Sequence, residues 1–224
     1  MISGGRGEMR IVCISDTHTF EDQIAIPDGD VLIHAGDATI AGTIAEVNQF
    51  CRWFEAQPHK YKIFVAGNHD WLFEKQSQLA RSMISSSGAY YLCDQLIELD
   101  GVSFYGSPWQ PRFCDWAFNV DRGATIKRIW DRIPKCDVLI THGPPFGVLD
   151  TVKEGEPHLG CEELLVAVDR IKPRFHVFGH IHGGAGAMQS NGTRFINASI
   201  CDEAYRPVNA PQVFNVPARE TENR

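Results

Sequence analysis

The 224-residue chain lacks any apolar run of membrane-spanning length and any block of Lys or Arg. The first absence excludes a transmembrane helix. The second, with a net charge of −7, argues against wrapping duplex nucleic acid, which needs a basic face. There is no C-x-x-C pair: Cys13, Cys51, Cys93, Cys114, Cys136, Cys161 and Cys201 are scattered and odd in number, which suits free thiols in a reducing compartment. Met1–Arg10 has no apolar signal-peptide core, so the expected location is cytoplasmic. No linker, repeat or low-complexity segment interrupts the chain. The expectation is a flexible start over residues 1–9 and one domain over 10–224. A hydrophobic fraction of 43% and a charged fraction of 22% fit a soluble globular core of that size.

What is present is a series of short apolar runs that stop abruptly at polar residues. Arg10–Ser15, Asp30–Ala35, Tyr61–Ala66, Asp137–Thr141 and Arg174–Phe178 read as buried strands. Strand-like runs also cover 89–92, 96–99, 102–106, 193–197 and 212–216, and Asp100-Gly101 marks a hairpin. Helices are predicted over 44–54 with Thr43 as N-cap and an inward face of Ile44, Val47, Phe50, Cys51 and Phe54, then over 71–83, 124–133 and 161–171.

Each of the first five strands delivers metal-competent side chains at its end: Asp16 and His18, then Asp37, then Asn68, His69 and Asp70, then His142, then His180 and His182. If these strands share a sheet in parallel, their carboxyl ends converge where α/β folds keep their sites. His with Asp suits Zn, Mn or Fe better than Ca or Mg. More candidates stand here than one tetrahedral ion needs, which points to two ions about 3.5–4 Å apart.

The ordered series Asp16-x-His18, Gly36-Asp37, Gly67-Asn68-His69-Asp70, Thr141-His142-Gly143 and Gly179-His180-Ile181-His182 resembles the calcineurin-like metallophosphoesterase superfamily. The wording around it, including Ser107-Pro108-Trp109-Gln110-Pro111 and Asn197-Ala198-Ser199, looks like its MPPED-type metallophosphodiesterase branch. The resemblance implies an α/β fold of two packed mixed β-sheets flanked by helices. It implies that Asp16, His18 and His182 hold one transition-metal ion and Asn68, His142 and His180 the other, bridged by Asp37. Mn or Fe is the expected metal, with Zn also compatible.

The expected reaction is phosphodiester hydrolysis, on cyclic nucleotides or small diesters, by a metal-bridging hydroxide. His69 would act as general acid, worth ~10²–10⁴ in rate, with Asp70 orienting its ring. The alternatives are a phosphomonoesterase, acting on nucleotides or phosphoproteins, and a non-catalytic metal-binding scaffold. No Arg or Lys lies within the five motifs, which leans towards diesters, unless Arg112 and Arg206 fold inward. Trp109, His158 and Asn197 are candidate substrate contacts. His34 and His176 read as core imidazoles and His59 as a surface one.

Overall fold

The computed structural model describes residues 8–217. Residues 1–7 of the expected flexible start lie outside them. The first strand, β1 (Glu8–Ile14), begins before Arg10, because Glu8 and Met9 pair with Pro217 and Val216 of an antiparallel neighbour distant in sequence. One sheet orders that neighbour, β13 (Gln212–Pro217), beside β1, then β2 (Val31–His34), β3 (Tyr61–Phe64) and β4 (Tyr90–Tyr91). From β1 to β4 the strands are parallel.

The second sheet is built from β5 (Gln95–Leu99), β6 (Val102–Ser107), β9 (Val138–Thr141), β10 (Phe175–Phe178), β11 (Gly186–Ser190) and β12 (Thr193–Asn197). They lie in the order β11-β12-β10-β9-β6-β5, with β6, β9, β10 and β12 parallel. A small parallel pair, β7 (Gln110–Pro111) and β8 (Asn119–Val120), braces the loop after β6.

The continuous apolar strands follow from burial on both faces. Ile11, Cys13, Val31, Ile33 and Ile63 from the first sheet meet Phe104, Val138, Ile140 and Val177 from the second in one core. The alternate residues Val12, Ile14, Leu32 and Phe64 pack on the other side against helices. Helix α1 (Ile44–Glu55) supplies Val47, Phe50, Cys51 and Phe54 there, whereas Ile44 is exposed. Thr43 and Glu46 close a capping box at its start.

The single helix predicted over 71–83 is two, α2 (Trp71–Lys75) and α3 (Ser77–Ser86), broken at Gln76 with φ −135° and ψ 55°. Leu72 and Ala80 are buried, and an unbroken helix would turn Gln76 onto the same face. The break leaves its side chain in solvent. On the far side of the second sheet lie α4 (Ala124–Trp130) and α5 (Glu162–Ile171), packed on Tyr105, Leu139 and Phe178.

The five motif-bearing strands therefore do not share one sheet. β1, β2 and β3 belong to the first, β9 and β10 to the second, and their carboxyl ends meet at a common edge of the sandwich. The sheets are stitched there: Ser15 N–H donates to Ala198 O at 2.8 Å, and Ile200 N–H to Ser15 O at 2.9 Å.

Phe104 is fully buried between the sheets. Phe104→Ala is expected to cost about 3–5 kcal/mol, read as a lowered urea midpoint.

Candidate metal centre

The turns after the strands pack closely on one another, and glycines stand where they meet. Gly67 lies so close to Asp37 that an added Cβ would overlap the Asp37 amide and carboxylate. Gly179 is similarly crowded by Ser15 and Asp16. Four site residues adopt left-handed backbone: Asp16 (φ 52°), His18 (φ 44°), Asp37 (φ 56°) and His180 (φ 70°). Such conformations cost on the order of 1–3 kcal/mol each and persist only where surrounding bonds enforce them.

Four of the site's imidazoles, those of His18, His69, His142 and His182, share a second feature. His18 Nδ1 lies 3.2 Å from Thr39 O, His69 Nδ1 2.6 Å from Ile40 O, His142 Nδ1 3.0 Å from Ala35 O, and His182 Nδ1 2.9 Å from Asp202 O. A carbonyl only accepts, so each Nδ1 carries its hydrogen and each Nε2 is the remaining nitrogen. His18 Nε2 and His182 Nε2 are 3.4 Å apart, and His142 Nε2 is 2.9 Å from Asn68 Oδ1. In the neutral rings these are lone pairs facing lone pairs. Either a proton or a cation must stand between them, and carbonyl-anchored imidazoles are the usual outer support of a metal ligand.

The donor atoms fall into three groups whose members lie within 4.8 Å of one another: Asp16, His18 and His182; Asp37, His142 and His180; and His18, Asp37 and His69. The first brings together the three residues that the resemblance implies for one ion, and the second brings Asp37 to two of the three it implies for the other, with Asn68 joined to it through His142. The residues fit a pair of transition-metal ions in donor type and grouping. The third group was not anticipated, and it places His69 against a donor from each of the other two.

Electrostatics match. Asp16 is buried, which alone would raise its pKa, yet His182 and the other imidazoles hold it well below the usual carboxylate range. Its carboxylate also accepts from the Ser15 hydroxyl, the Ser199 hydroxyl at 2.8 Å and His180 N–H at 3.0 Å. Asp37 behaves likewise: burial opposes its charge, but His142 at 3.3 Å keeps its pKa low. Burial pulls the His142 and His182 rings down, but Asp37 and Asp16 respectively outweigh it and raise both to about 9. Burial holds His180 at about 3, a neutral ring.

Asp70 does not orient His69. Its buried carboxylate accepts instead from the backbone N–H groups of Asp37 (2.9 Å), Gly67 (2.8 Å) and Thr39 (3.1 Å) and from the Thr39 hydroxyl (2.8 Å). Burial, with Asp37 nearby, pushes it up to about 6. The Ile40 carbonyl, in the loop after β2, takes the orienting role.

Trp109 is not a cavity wall. Its indole N–H donates to Asp94 at 2.9 Å and its ring lies edge-on to Phe118 in the core. His158 Nδ1 is held 2.6 Å from buried Asp150, and its ring is outside the cavity lining. Asn197 spends its amide on the Leu149 and Ile181 carbonyls, while its oxygen lies 2.8 Å from Ser199 Oγ; it supports Asp16 through Ser199 and does not face substrate. His59 is buried, not superficial, with Nε2 on Pro27 O. His34 and His176 are core imidazoles bonded to Thr17 and Thr141.

A cavity of about 350 Å³ opens on the donors. Phe113, Trp116, Arg122, Glu203 and Tyr205 join Arg112 in its wall. Trp116 follows Trp109 in the loop after β6, and it is Trp116 and not Trp109 that lines the cavity. Tyr205 and Glu203 belong to no motif. Arg206 turns away to Asp202, 2.8 Å from its Nε.

The family model described as calcineurin-like phosphoesterase matches residues 9–184. The human protein named metallophosphoesterase domain-containing protein 1 is 43% identical over 236 residues, covering 94% of this chain and 72% of its own. A Caenorhabditis elegans UPF0046 protein is 41% identical over 230 residues, covering 94% and 82%. Two crystal structures share the fold across 95% of this chain and 100% of theirs. One has a TM-score of 0.71 at 14% identity, and the other, the Thermus thermophilus protein TT1561, 0.56 at 12%. Among the described residues, no helix is long and apolar enough to cross a membrane.

Two outcomes follow from this geometry. In metal-free protein the raised pKa values of His142 and His182 stabilise the fold fully below pH 6.5, and that contribution is lost as pH rises through about 9. Loading Mn²⁺ at pH 7 should therefore release protons in a pH-stat, and the metal-induced rise in Tm should grow from about pH 6 to 9. Asp70→Asn replaces an acceptor by an N–H that faces other N–H groups. It should cost about 1–3 kcal/mol for each donor left unpaired, seen as a lower Tm by calorimetry.

Proposed function

Because the chain belongs to the calcineurin-like phosphoesterase family, a family of phosphate-ester hydrolases that typically binds two metal ions, we propose that it hydrolyses phosphodiesters, with cyclic nucleotides or small diesters as substrates. The observation that carries this reading is the clustering of carbonyl-anchored imidazoles with Asp16 and Asp37 at a cavity that Asp37, Asn68, His69, His180 and His182 line. In this reading Asp16, His18 and His182 would hold one ion and Asn68, His142 and His180 the other, with Asp37 shared between them. Mn or Fe is the favoured occupant, with Zn compatible. When bound, the ions would neutralise phosphoryl charge and lower the pKa of a water at the site.

The chain's own residues do the rest. Ile40 O fixes His69 Nδ1–H, which leaves Nε2 as the nitrogen that can give a proton to the leaving oxygen. Asp37 Oδ1 accepts the His69 backbone N–H at 2.8 Å and so fixes the root of that side chain. Trp116 covers one ring face at 4.2 Å and keeps bulk water from it.

Charge on the wall favours a singly charged diester over a dianionic monoester. Arg112 and Arg122 reach the cavity, but each is already paired, with Asp121 and Glu162 at 2.6 Å. Glu203 adds a negative charge to the same wall. The two arginines are also what a monoesterase would use if those pairs opened, which makes that the second reading.

With Mn-loaded protein, bis-p-nitrophenyl phosphate should turn over faster than p-nitrophenyl phosphate, with Asp37→Ala as the blank. A strong preference for the monoester overturns the first reading. His69→Ala should lose ~10²–10⁴ in rate on a cyclic nucleotide, whose alkoxide needs a proton. It should lose far less on the p-nitrophenyl diester, and bound metal per chain should be unchanged.

A further inference from the structure

Two aromatic rings outside the metal-ligating motifs stand against His69 and line the cavity. Trp116 lies 4.2 Å from the His69 ring at an interplanar angle of 34°. Tyr205 lies 6.3 Å from it at 70°, and its ring also meets His18 at 4.7 Å and His182 at 5.5 Å. Tyr205 is beyond residue 184, where the family match ends.

Both rings are held by loops that close on themselves or on the site. Next to Trp116, Ala117 N–H donates to Asn68 O at 3.2 Å and Phe118 N–H to Glu74 at 2.8 Å. The Tyr205 loop is tied by Asp202 N–H to Arg206 O and Tyr205 N–H to Asp202 O, both at 2.9 Å. Asp202 Oδ1 takes the amides of Ala204 and Arg206, also at 2.9 Å. Glu203 then accepts Gly183 N–H at 2.7 Å, which docks the loop beside His182. These bonds hold Tyr205 at φ 57°, a backbone conformation that a tyrosine seldom adopts. A ring already held in place loses little freedom on binding a ligand.

Resting on the phosphodiester reading, we propose that Trp116 and Tyr205 form a subsite for the ester group on the leaving side, and that this group carries a nucleobase or an aryl ring. The reasoning is positional. A proton from His69 reaches only an oxygen beside it, so the group attached to that oxygen must occupy the space around His69. The cavity-lining rings flanking His69 there are Trp116 and Tyr205. Flat aromatic faces reward a flat aromatic ligand by dispersion and offset packing, worth about 3- to 10-fold in affinity per ring.

The test measures binding by calorimetry to Mn-loaded protein, using phenylphosphonate and methylphosphonate as probes. Wild type should bind phenylphosphonate at least about 10-fold more tightly. Tyr205→Ala and Trp116→Ala should each cut that preference about 3- to 10-fold, while methylphosphonate affinity holds. Tyr205→Phe should keep the preference, since the ring and not the hydroxyl carries it. Trp116→Leu serves if the alanine variant fails to fold. Equal binding of the two probes, or a preference that survives both alanine substitutions, overturns the subsite. A phenyl preference in a protein that hydrolyses no diester leaves the subsite standing and removes the proposed activity. Diester turnover without the preference does the reverse.

Discussion

A single buried carboxylate, that of Asp70, holds the candidate site in shape. It sits between the loops after β2 and β3 and gathers N–H groups from both, together with the Thr39 hydroxyl. Asp37, whose amide Asp70 fixes, returns the bond by accepting the His69 amide. The two loops are thus interlocked, and the backbone path that presents Asn68 and His69 is set by the same bonds that orient Asp37. Gly67 permits the approach, because any larger residue would collide with Asp37.

The remaining donors are held by the same logic applied to the second sheet. Asp16 takes hydroxyls from Ser15 and Ser199 and an amide from His180, so residues on both sheets converge on one carboxylate. Buried charge without such partners would be prohibitive. With them, the edge of the sandwich tolerates three buried carboxylates, several imidazoles and four left-handed backbones together. The strain collects where the ligand groups are, and the apolar core between the sheets bears the cost.

Much of this was legible in the chain. Apolar runs ending in Asp, His and Asn reported both the strands and the donors, since strands buried on both faces leave no alternation and a turn at their end exposes whatever follows. The two-sheet sandwich and the family were likewise readable from the ordered motifs. What sequence could not give were contacts across loops. Asp70 beside His69 in sequence suggested a pair, but the turn sends the carboxylate inward to amides. Trp109 and Trp116 share the loop after β6, and the bond from the Trp109 indole to Asp94 holds that ring away from the cavity that Trp116 lines. Tyr205 has no periodicity or motif to announce it. The split at Gln76 was implicit in a polar residue on an apolar stripe, a signal that helical propensity overrode.

The bond from Ser199 to Asp16 spans 183 residues, and the carbonyl that orients His182 belongs to Asp202. Closing contacts of that range is slow, because the loop entropy is lost before the contacts form. A ribosome releasing this chain from its N-terminus would expose Asp16, His18 and Asp37 long before Ser199 and Asp202 emerged. During that interval these early side chains would lack their later partners, and the His18 imidazole would be free to rotate. Metal capture by the nascent polypeptide would therefore follow whichever ion is abundant. Under the two-ion reading, selectivity by geometry would begin only once the closing segment had docked, so the order of synthesis would bear on which ions the site takes up.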